Sequence, residues 1–443
     1  MTGKTTIALA FLGWAGTGLA QELPAPLDDA AWPDVDPREA ALGQLLFYDP
    51  LLSGNREVAC ATCHHPEFGT SDGLSLPLGD GGQGLGPLRT VDPENPPEQR
   101  VPRNSQALWN VGALEYVSMF HDGRVEMDPG APGGMRTPLD ADMVEGFASM
   151  LSAQTMFPVL SPDEMAGHYS ENEVAQAVRL GMLTGPGGAW DLIARRVAAV
   201  PDYAVRFEDT YGLSPEEIGF TDISDAIAAF VTFEFRSDTS PFDARLREGA
   251  PLDSQAEAGL ALFYGAAGCA DCHSGPFQTD HGFHAMGAPQ FGPGKAARFE
   301  SHARDEGRFR VTGRAEDLHA FRTPSLRNVA LTAPYGHAGS HASLRGFVAD
   351  HLAPAAALPG YDRGQAVLPR MEVSDWRILD DPAESDAIAS AVTLPPVKLA
   401  ADEIDALVAF LESLTDPVAR TGRLGIPEAV PSGLPVPVPA PMP

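Results

Sequence analysis

The chain has 443 residues, with 60 acidic side chains against 30 basic ones and a formal net charge of −30. This charge excludes nucleic acid as an expected partner and argues against anionic membrane surfaces. Beyond the N-terminus no apolar run is long enough to span a bilayer, so we expect no membrane span.

The first 20 residues have the pattern of a secretory signal peptide. Lys4 precedes a largely apolar or small stretch that ends at Ala20, which follows Gly and Leu and forms a small-residue cleavage site. The stretch is too short for a membrane span. An ordinary buried N-terminal helix is the alternative. We therefore predict an exported protein whose mature chain begins at Gln21.

Two segments of the mature chain repeat one pattern. Residues 41–48 and 258–264 each read as a short amphipathic helix that ends in Leu-Phe-Tyr, before a Gly-containing loop and Cys-x-x-Cys-His. Each helix needs a later helix to pack against, and two stretches show apolar side chains at helical spacing. The stretches contain Ile223, Ile227, Phe230, Val231 and Glu234, and then Ile404, Leu407, Val408, Leu411 and Leu414. The repeat predicts a mainly α-helical chain with two cytochrome c-like domains.

The two Cys-x-x-Cys-His motifs use all four cysteines of the chain. Thiols at this spacing form thioethers with the vinyl groups of one porphyrin, and the adjacent histidine ligates the iron. A zinc or thiol-redox site is the alternative, but it leaves both histidines unexplained. We therefore predict two covalently bound haem c groups, and hence a periplasmic location. The first haem would be attached to Cys60 and Cys63 with His64 as iron ligand, and the second to Cys269 and Cys272 with His273 as iron ligand.

The domain boundaries follow from the repeat and from composition. We predict an N-terminal haem domain at 21–236 and a C-terminal haem domain at 237–416, separated at a polar, turn-forming stretch. The 45 glycines and 41 prolines favour long ordered loops around the cofactors. Residues 417–443 form a Pro-rich tail, which we expect to be extended or disordered from residue 427 onward.

Further motifs give the chain a resemblance to a known family. They are Pro-Arg-Asn-Ser at 102–105, Asp-Gly-Arg at 122–124, Arg-Thr-Pro-Ser-Leu-Arg-Asn at 322–328 and Leu-Thr-Ala-Pro-Tyr at 331–335. With both haem motifs, this order resembles the bacterial di-haem cytochrome c peroxidases and their protein-modifying relatives over nearly the whole mature chain. The resemblance implies that hydrogen peroxide reacts at the N-terminal haem, while the C-terminal haem stores or relays an electron. It also implies a homodimer, which many members form.

The resemblance extends to a catalytic pair and to a calcium site. The family's catalytic glutamate aligns with Glu164 and its companion glutamine with Gln154; a carboxylate near the open iron can move a proton between the peroxide oxygens. From the pattern alone, Glu164 would be an acid in a helix's first turn. The resemblance also implies Ca²⁺ between the domains, held by the Asn104 side chain and the carbonyl oxygens of Thr332 and Pro334. A loop-capping amide is the alternative for Asn104.

Two departures from the family pattern concern the iron ligands. Many peroxidases carry a histidine after the first haem motif that caps the iron until the second haem is reduced. Asp80 stands there, so we predict a first haem that is open without reductive activation. The distal ligand of the second haem, a methionine in peroxidases and a tyrosine in the methylamine dehydrogenase maturation enzyme, falls on His351. We therefore predict bis-histidine ligation and a lowered potential. A surface histidine is the alternative; His284, Met286 and His337 are the other candidate ligands.

A third departure lies between the haems, where peroxidases use a tryptophan as an electron relay. His121 stands at that position, and a histidine is harder to oxidise. Trp109 is the nearest aromatic side chain in sequence that could replace the relay, although such residues are more often part of the core.

These departures indicate the function within the family. Residues 63–66, 68–73, 278–281 and 334–337 are similar to the branch that contains the di-haem enzyme of methanobactin operons. That branch implies peroxide-driven oxidation of a tryptophan on a partner periplasmic copper-binding protein, with oxidising equivalents shared by both haems. We therefore predict a peroxidase-type oxidoreductase with a protein substrate. The alternatives are a conventional peroxidase supplied by a small cytochrome or copper protein as electron donor, and a non-catalytic electron carrier.

Overall fold

The computed structural model describes residues 22–296 and 300–439. The predicted signal peptide at residues 1–20 lies outside the described residues. Within them the fold is mainly α-helical, with very short strands and long irregular loops, as predicted. None of the helices described is both long and apolar enough to cross a membrane.

Short helices and strands alternate with loops along the described chain. The α-helices are α1 (Pro37–Tyr48), α2 (Cys60–Cys63), α3 (Met150–Thr155), α4 (Glu173–Arg179), α5 (Ala189–Ala198), α6 (Pro201–Tyr211), α7 (Phe220–Glu234), α8 (Pro241–Glu248), α9 (Ser254–Phe263), α10 (Phe309–Thr312), α11 (Leu344–His351), α12 (Pro354–Ala357), α13 (Pro382–Ser390) and α14 (Ala401–Glu412). The strands are β1 (Gly82–Gln83), β2 (Thr90–Val91), β3 (Ser118–Met119), β4 (Val125–Met127), β5 (Met135–Arg136), β6 (Phe283–His284) and β7 (Phe321–Arg322). They form the antiparallel sheets β1-β2, β3-β4-β5 and β6-β7.

Each half of the chain is built on a crossing of two helices. Helix α1 packs on α7, and α9 packs on α14, which confirms the pairing predicted from the repeat. A Cβ atom on Gly43 would lie 1.7 Å from the carbonyl oxygen of Ala226, and one on Gly259 would lie 1.9 Å from that of Ala406. Since Cβ atoms do not approach so closely, only glycine lets these helix backbones touch. The two halves therefore share one mode of helix packing.

Two separate apolar cores lie behind these crossings. The larger one surrounds α1, α3, α5 and α7 in the N-terminal half. The smaller one joins α9 and α14 to Phe242. A minor cluster of Leu76, Phe291 and Ala338 connects the halves. The loop after the first haem motif thus contacts the C-terminal half directly.

Buried arginines also join the two halves. Arg100 pairs with Asp375 at 2.9 Å, and Arg103 pairs with Asp122 at 2.7 Å and with Asp305 at 2.6 Å. Burying such charges is tolerated because each guanidinium meets a carboxylate. These pairs fix how the loops before and after the Asp-Gly-Arg motif meet.

The C-terminal tail is extended in the described residues up to 439, which is one of the two states expected from its composition. The buried carboxylate of Glu234 accepts the backbone N–H groups of residues 423–425, at 3.0, 2.6 and 3.0 Å. The buried carboxylate of Asp49 accepts the hydroxyl of Ser432 at 2.7 Å, and Val430 is 5% exposed. Composition suggested a solvated segment, whereas two buried acids and an apolar surface hold the tail against the N-terminal half.

Candidate haem and peroxide site

The first haem motif is positioned by α2 and the residue after it. The Nδ1 atom of His64 lies 3.0 Å from the carbonyl oxygen of Thr70 and 3.3 Å from the hydroxyl of Ser105. Because a carbonyl oxygen only accepts, Nδ1 carries the proton and Nε2 keeps a free lone pair for a metal. Burial lowers the pKa of His64, so the ring is neutral. The Nε2 atom of His64 is therefore available as an iron ligand.

The second motif repeats this arrangement and adds a facing histidine. The Nδ1 atom of His273 lies 3.2 Å from the carbonyl oxygen of Gln278. His351, the last residue of α11, faces His273 with ring centres 6.4 Å apart. Two imidazoles on one iron have centres about 6.4 Å apart, given an iron–nitrogen bond of about 2 Å and about 1.2 Å from nitrogen to ring centre. The residues present therefore fit a haem iron held from both sides.

The other candidate ligands are placed differently. The Nε2 atom of His284 pairs with the carboxylate of Asp280 at 2.8 Å. His337 stacks on Phe321 with ring centres 3.8 Å apart. Met286 lines the same cavity as His351. Of the four candidates, His351 has its ring opposite His273 at the distance that a shared iron requires.

The four cysteines do not form a common zinc site. All are described residues with free thiols, and the two pairs do not meet in one ligand cluster. Burial raises the pKa of Cys60 and Cys63 to about 12, whereas zinc binds thiolates. Uncharged thioethers suit these buried positions better. The chemistry of the donor set therefore fits covalent haem.

Glu164 lies in a single π-helical turn, Pro162–Ala166, and not in the first turn of an α-helix. The N–H of Ala166 donates to the carbonyl oxygen of Ser161 at 2.9 Å, which closes this wider turn. Such turns occur frequently at functional sites. Burial raises the pKa of Glu164. The Oε1 atom of Gln154 is buried without a hydrogen-bond partner among the described residues, so it is available to a ligand.

Asp80 lies beside the turn that carries Glu164. Its N–H donates to the carbonyl oxygen of Asp163 at 3.3 Å, and a Cβ atom on Gly79 would lie 3.0 Å from the Cα of Glu164. The Asp80 carboxylate accepts from the amide of Asn55 at 3.0 Å and is fully buried. Burial raises its pKa to about 6. The loop that contains Asp80 therefore adjoins the predicted catalytic residue, and Asn55 holds the Asp80 side chain.

Sequence reasoning missed one charged residue near Glu164. Lys295 lines a cleft together with Arg124. The positive charges of Lys295 and Arg124 oppose the rise in the pKa of Glu164 that burial causes. Lys295 is one of three lysines in the chain, but it stands in a Gly- and Pro-rich segment without a motif. Only the tertiary fold brings it to this place.

His121 lies at the junction of the two halves. The Nε2 atom of His121 donates to the carbonyl oxygen of Asn104 at 3.1 Å. The carbonyl oxygen of His121 accepts the N–H of Arg322 at 2.8 Å. Burial lowers the pKa of His121 to about 3, and Arg103 adds to the effect. A neutral imidazole beside a cation is difficult to oxidise. Trp109 is 4% exposed within the N-terminal core.

Asn104, the predicted calcium ligand, also lies at this junction. Its side-chain amide donates to the carbonyl oxygen of Leu74 at 2.8 Å. The backbone N–H of Asn104 donates to the carbonyl oxygen of His337 at 2.8 Å, and His337 lies three residues after Pro334. These bonds do not use the side-chain oxygen, which is the atom a calcium ion would take. The calcium site stays a prediction.

Several known proteins are similar to this chain in sequence. The family model described as di-haem cytochrome c peroxidase matches residues 37–250. The methylamine utilization protein MauG of Methylorubrum extorquens is 32% identical over 317 residues, covering 71% of this chain and 68% of the relative. The cytochrome c551 peroxidase of Nitrosomonas europaea is 30% identical over 336 residues, covering 76% and 78%.

Solved structures share the fold. The diheme peroxidase BthA of Burkholderia thailandensis aligns with a TM-score of 0.58 at 22% identity, covering 92% of this chain and 93% of that one. A MauG-like protein associated with microbial copper homeostasis aligns with a TM-score of 0.54 at 24% identity, covering 91% and 96%. The chain belongs to the di-haem cytochrome c peroxidase family, and it is a c-type di-haem oxidoreductase.

Proposed function

We propose that this peroxidase-family enzyme oxidises a tryptophan on a partner protein, and that its haem domains are residues 21–236 and 237–416. The observation that carries the proposal is the pairing of His273 with His351 at 6.4 Å between ring centres. A second imidazole, in place of methionine, lowers the potential of a haem. A haem held by His273 and His351 would then share oxidising equivalents instead of only supplying an electron.

The residues around the first haem perform the acid–base work. Cys60, Cys63 and His64 would hold this haem, which would supply an iron for hydrogen peroxide. Glu164 takes the proton of the inner peroxide oxygen and returns it to the outer one, which leaves as water. The free Oε1 of Gln154 orients the peroxide. One hydrogen peroxide takes two electrons and two protons from the tryptophan and yields two waters.

The proposal includes the environment of the enzyme. Export to the periplasm suits both c-type haem attachment and a protein substrate in that compartment. A calcium ion bound by the side chain of Asn104 and the carbonyl oxygens of Thr332 and Pro334 would tie the two halves together. We extend the family's homodimeric state to this chain.

A conventional peroxidase is the second candidate, since relatives named cytochrome c peroxidase cover most of the chain. It would draw its electrons from a small cytochrome or copper protein. The two functions differ in their need for a first electron. A conventional enzyme with a capped iron needs reduction before peroxide reacts, whereas Asp80 leaves no histidine cap.

The test mixes stoichiometric hydrogen peroxide with the as-isolated diferric protein and follows both ferric EPR signals. We expect both signals to decrease without any reductant. The Glu164→Gln variant should retain both haems and react more slowly by about a hundredfold or more, because the proton carrier is lost. Asp202→Asn, an exposed acid on α6, is the control and should react normally. If the wild-type signals persist until one haem is reduced, the proposal is wrong and the conventional peroxidase takes its place.

A further inference from the structure

His351 is held differently from the two histidines that follow the cysteine motifs. The Nδ1 atoms of His64 and His273 lie 3.0 and 3.2 Å from carbonyl oxygens of their own loops. Within residues 22–296 and 300–439, neither ring nitrogen of His351 forms a hydrogen bond to the protein. The direction of the His351 ring therefore depends on helix α11, of which it is the last residue, and on side-chain packing.

A second histidine, His341, is bound to the end of this helix. The Nε2 atom of His341 lies 2.9 Å from the carboxylate of Asp350, the residue directly before His351. Because a carboxylate only accepts, Nε2 carries a proton and is the donor of this bond. The hydroxyl of Ser340 lies 2.8 Å from Nδ1, so both nitrogens of the His341 ring have partners. The bond to Asp350 thus ties the last turn of α11 to the loop that precedes the helix.

The loop that carries His341 is itself fixed. The N–H of Tyr335 donates to the carbonyl oxygen of His341 at 2.8 Å, and the N–H of His341 donates to the carbonyl oxygen of Tyr335 at 3.3 Å. The hydroxyl of Tyr361 donates to the carbonyl oxygen of Ser340 at 2.5 Å. His341 is buried, whereas the Asp350 side chain is exposed. The buried ring is therefore the anchor, and the end of the helix is the part that it holds.

The His341 ring also reaches the His351 ring through Phe347. Phe347 packs edge-on against His341 with ring centres 5.3 Å apart, and its ring centre is equally far from that of His351. Phe347 and His351 are four residues apart on α11, so their side chains lie on one face of the helix. His341, Phe347, Asp350 and His351 all line one cavity. His341 therefore acts on the predicted ligand by two routes, a hydrogen bond and ring packing.

We propose that His341 is a positioning residue for the second haem, which holds His351 through Asp350 and Phe347 in the place of a second axial imidazole. The inference rests on the proposed function, because that function assigns His351 as the distal ligand. The rings of His273 and His351 have centres 6.4 Å apart and planes inclined by 48°. Hydrogen bonds around a metal site orient its ligands and raise their affinity. Here the hydrogen bond is made by the residue beside the ligand.

Helix α11 has another anchor, which supplies a matched control. The guanidinium of Arg345, in the first turn of α11, pairs with the carboxylate of Asp405 on α14 at 2.6 Å. The side chain of Asp405 is 46% exposed, close to the 42% of Asp350. Removing either carboxylate takes one hydrogen-bonded contact from α11, but only Asp350 adjoins His351. A general loosening of the helix would therefore affect both variants.

The test compares EPR spectra of the resting ferric holoprotein with those of Asp350→Ala and His341→Phe. His341→Phe keeps an aromatic ring against Phe347 and removes the donor, while Asp350→Ala changes an exposed side chain and should fold. Because the g anisotropy of a low-spin ferric haem depends on the angle between its axial imidazole planes, we expect the g values of the second haem to change in both. Asp350→Asn keeps an acceptor oxygen and should restore most of the wild-type spectrum.

A cyanide titration of the same proteins measures how firmly His351 is held. Cyanide at the first iron removes the high-spin signal, and displacement of His351 removes the low-spin signal of the second haem. We expect this displacement at about tenfold lower cyanide in Asp350→Ala and His341→Phe, because one hydrogen bond to a charged group is lost. Asp405→Ala should behave as wild type in both measurements.

Wild-type g values and wild-type cyanide displacement in Asp350→Ala and His341→Phe would overturn the inference. Equal changes in Asp405→Ala would overturn it as well, since the effect would then belong to the helix as a whole. His351→Ala, measured in the same series, separates the inference from the proposed function. If His351→Ala keeps the low-spin signal, the ligand assignment fails and the inference fails with it. If His351→Ala turns high-spin while Asp350→Ala and His341→Phe match wild type, only the role of His341 fails.

Discussion

Replacing Glu234 with glutamine tests whether the C-terminal tail is part of the N-terminal half. The Glu234 carboxylate is 3% exposed and accepts three successive N–H groups of the tail. Hydrogen bonds to a charged acceptor contribute about 1.5–3 kcal/mol each, against about 0.5–1.5 kcal/mol for a neutral one. Loss of the charge from three bonds should therefore cost about 3 kcal/mol. The glutamine NH₂ group also cannot accept, which leaves an N–H donor without a partner.

The assay is thermal unfolding of the holoprotein, followed by far-UV circular dichroism and by the Soret band. For a unit of 150–250 residues, 1 kcal/mol corresponds to about 2–4 °C, so Glu234→Gln should lower the Tm by about 6–12 °C. Glu208→Gln, an exposed acid on α6, is the control. Trypsin should also release the tail faster in the variant, after Arg423. A Tm within about 1 °C of wild type would refute the reasoning, since the tail would then not depend on this carboxylate.

Three further predictions concern the helix crossings, the junction and the open iron. Gly43→Ala and Gly259→Ala should each destabilise by about 3 kcal/mol or more in urea unfolding, because the added Cβ forces the helices apart; only the second should disturb the low-spin signal of the second haem. Arg103→Gln should lower the free energy of unfolding by about 3–5 kcal/mol, because two buried carboxylates lose their counter-charge; a loss below about 1 kcal/mol would contradict this. Asp80→His should place an imidazole beside Glu164, turn the first haem low-spin in EPR and make peroxide reactivity depend on prior reduction.

Much of the fold was predictable because the sequence signals of both haem units lie within short contiguous segments. The Leu-Phe-Tyr helices, the motifs and the apolar spacing of α7 and α14 all come from contiguous residues, and each was found where expected. The position of His351 followed from counting along a motif. It needed no knowledge of packing, and the structure places the ring opposite His273.

The remaining features depend on contacts between distant segments. The local pattern placed Glu164 in the first turn of a helix, and no short-range signal shows that this helix is a single π-helical turn closed by Ser161. The tail was expected to be extended or disordered because proline-rich composition does not reveal its contacts. Those contacts are with two buried acids, Asp49 directly after α1 and Glu234 at the end of α7. Lys295 carries no motif, and only the tertiary fold brings it into one cleft with Arg124. Composition and spacing contain none of this information.

The measurement that most directly tests the bis-histidine second haem is the EPR spectrum of the resting diferric protein, compared with that of His351→Ala. The account predicts that the wild type shows one high-spin ferric haem, from an open first iron, and one low-spin ferric haem, from a second iron held by His273 and His351. In the variant the low-spin signal should be replaced by a second high-spin one. An unchanged low-spin signal in His351→Ala would contradict the account and assign the distal ligand to another side chain, with Met286 in the same cavity as the first candidate.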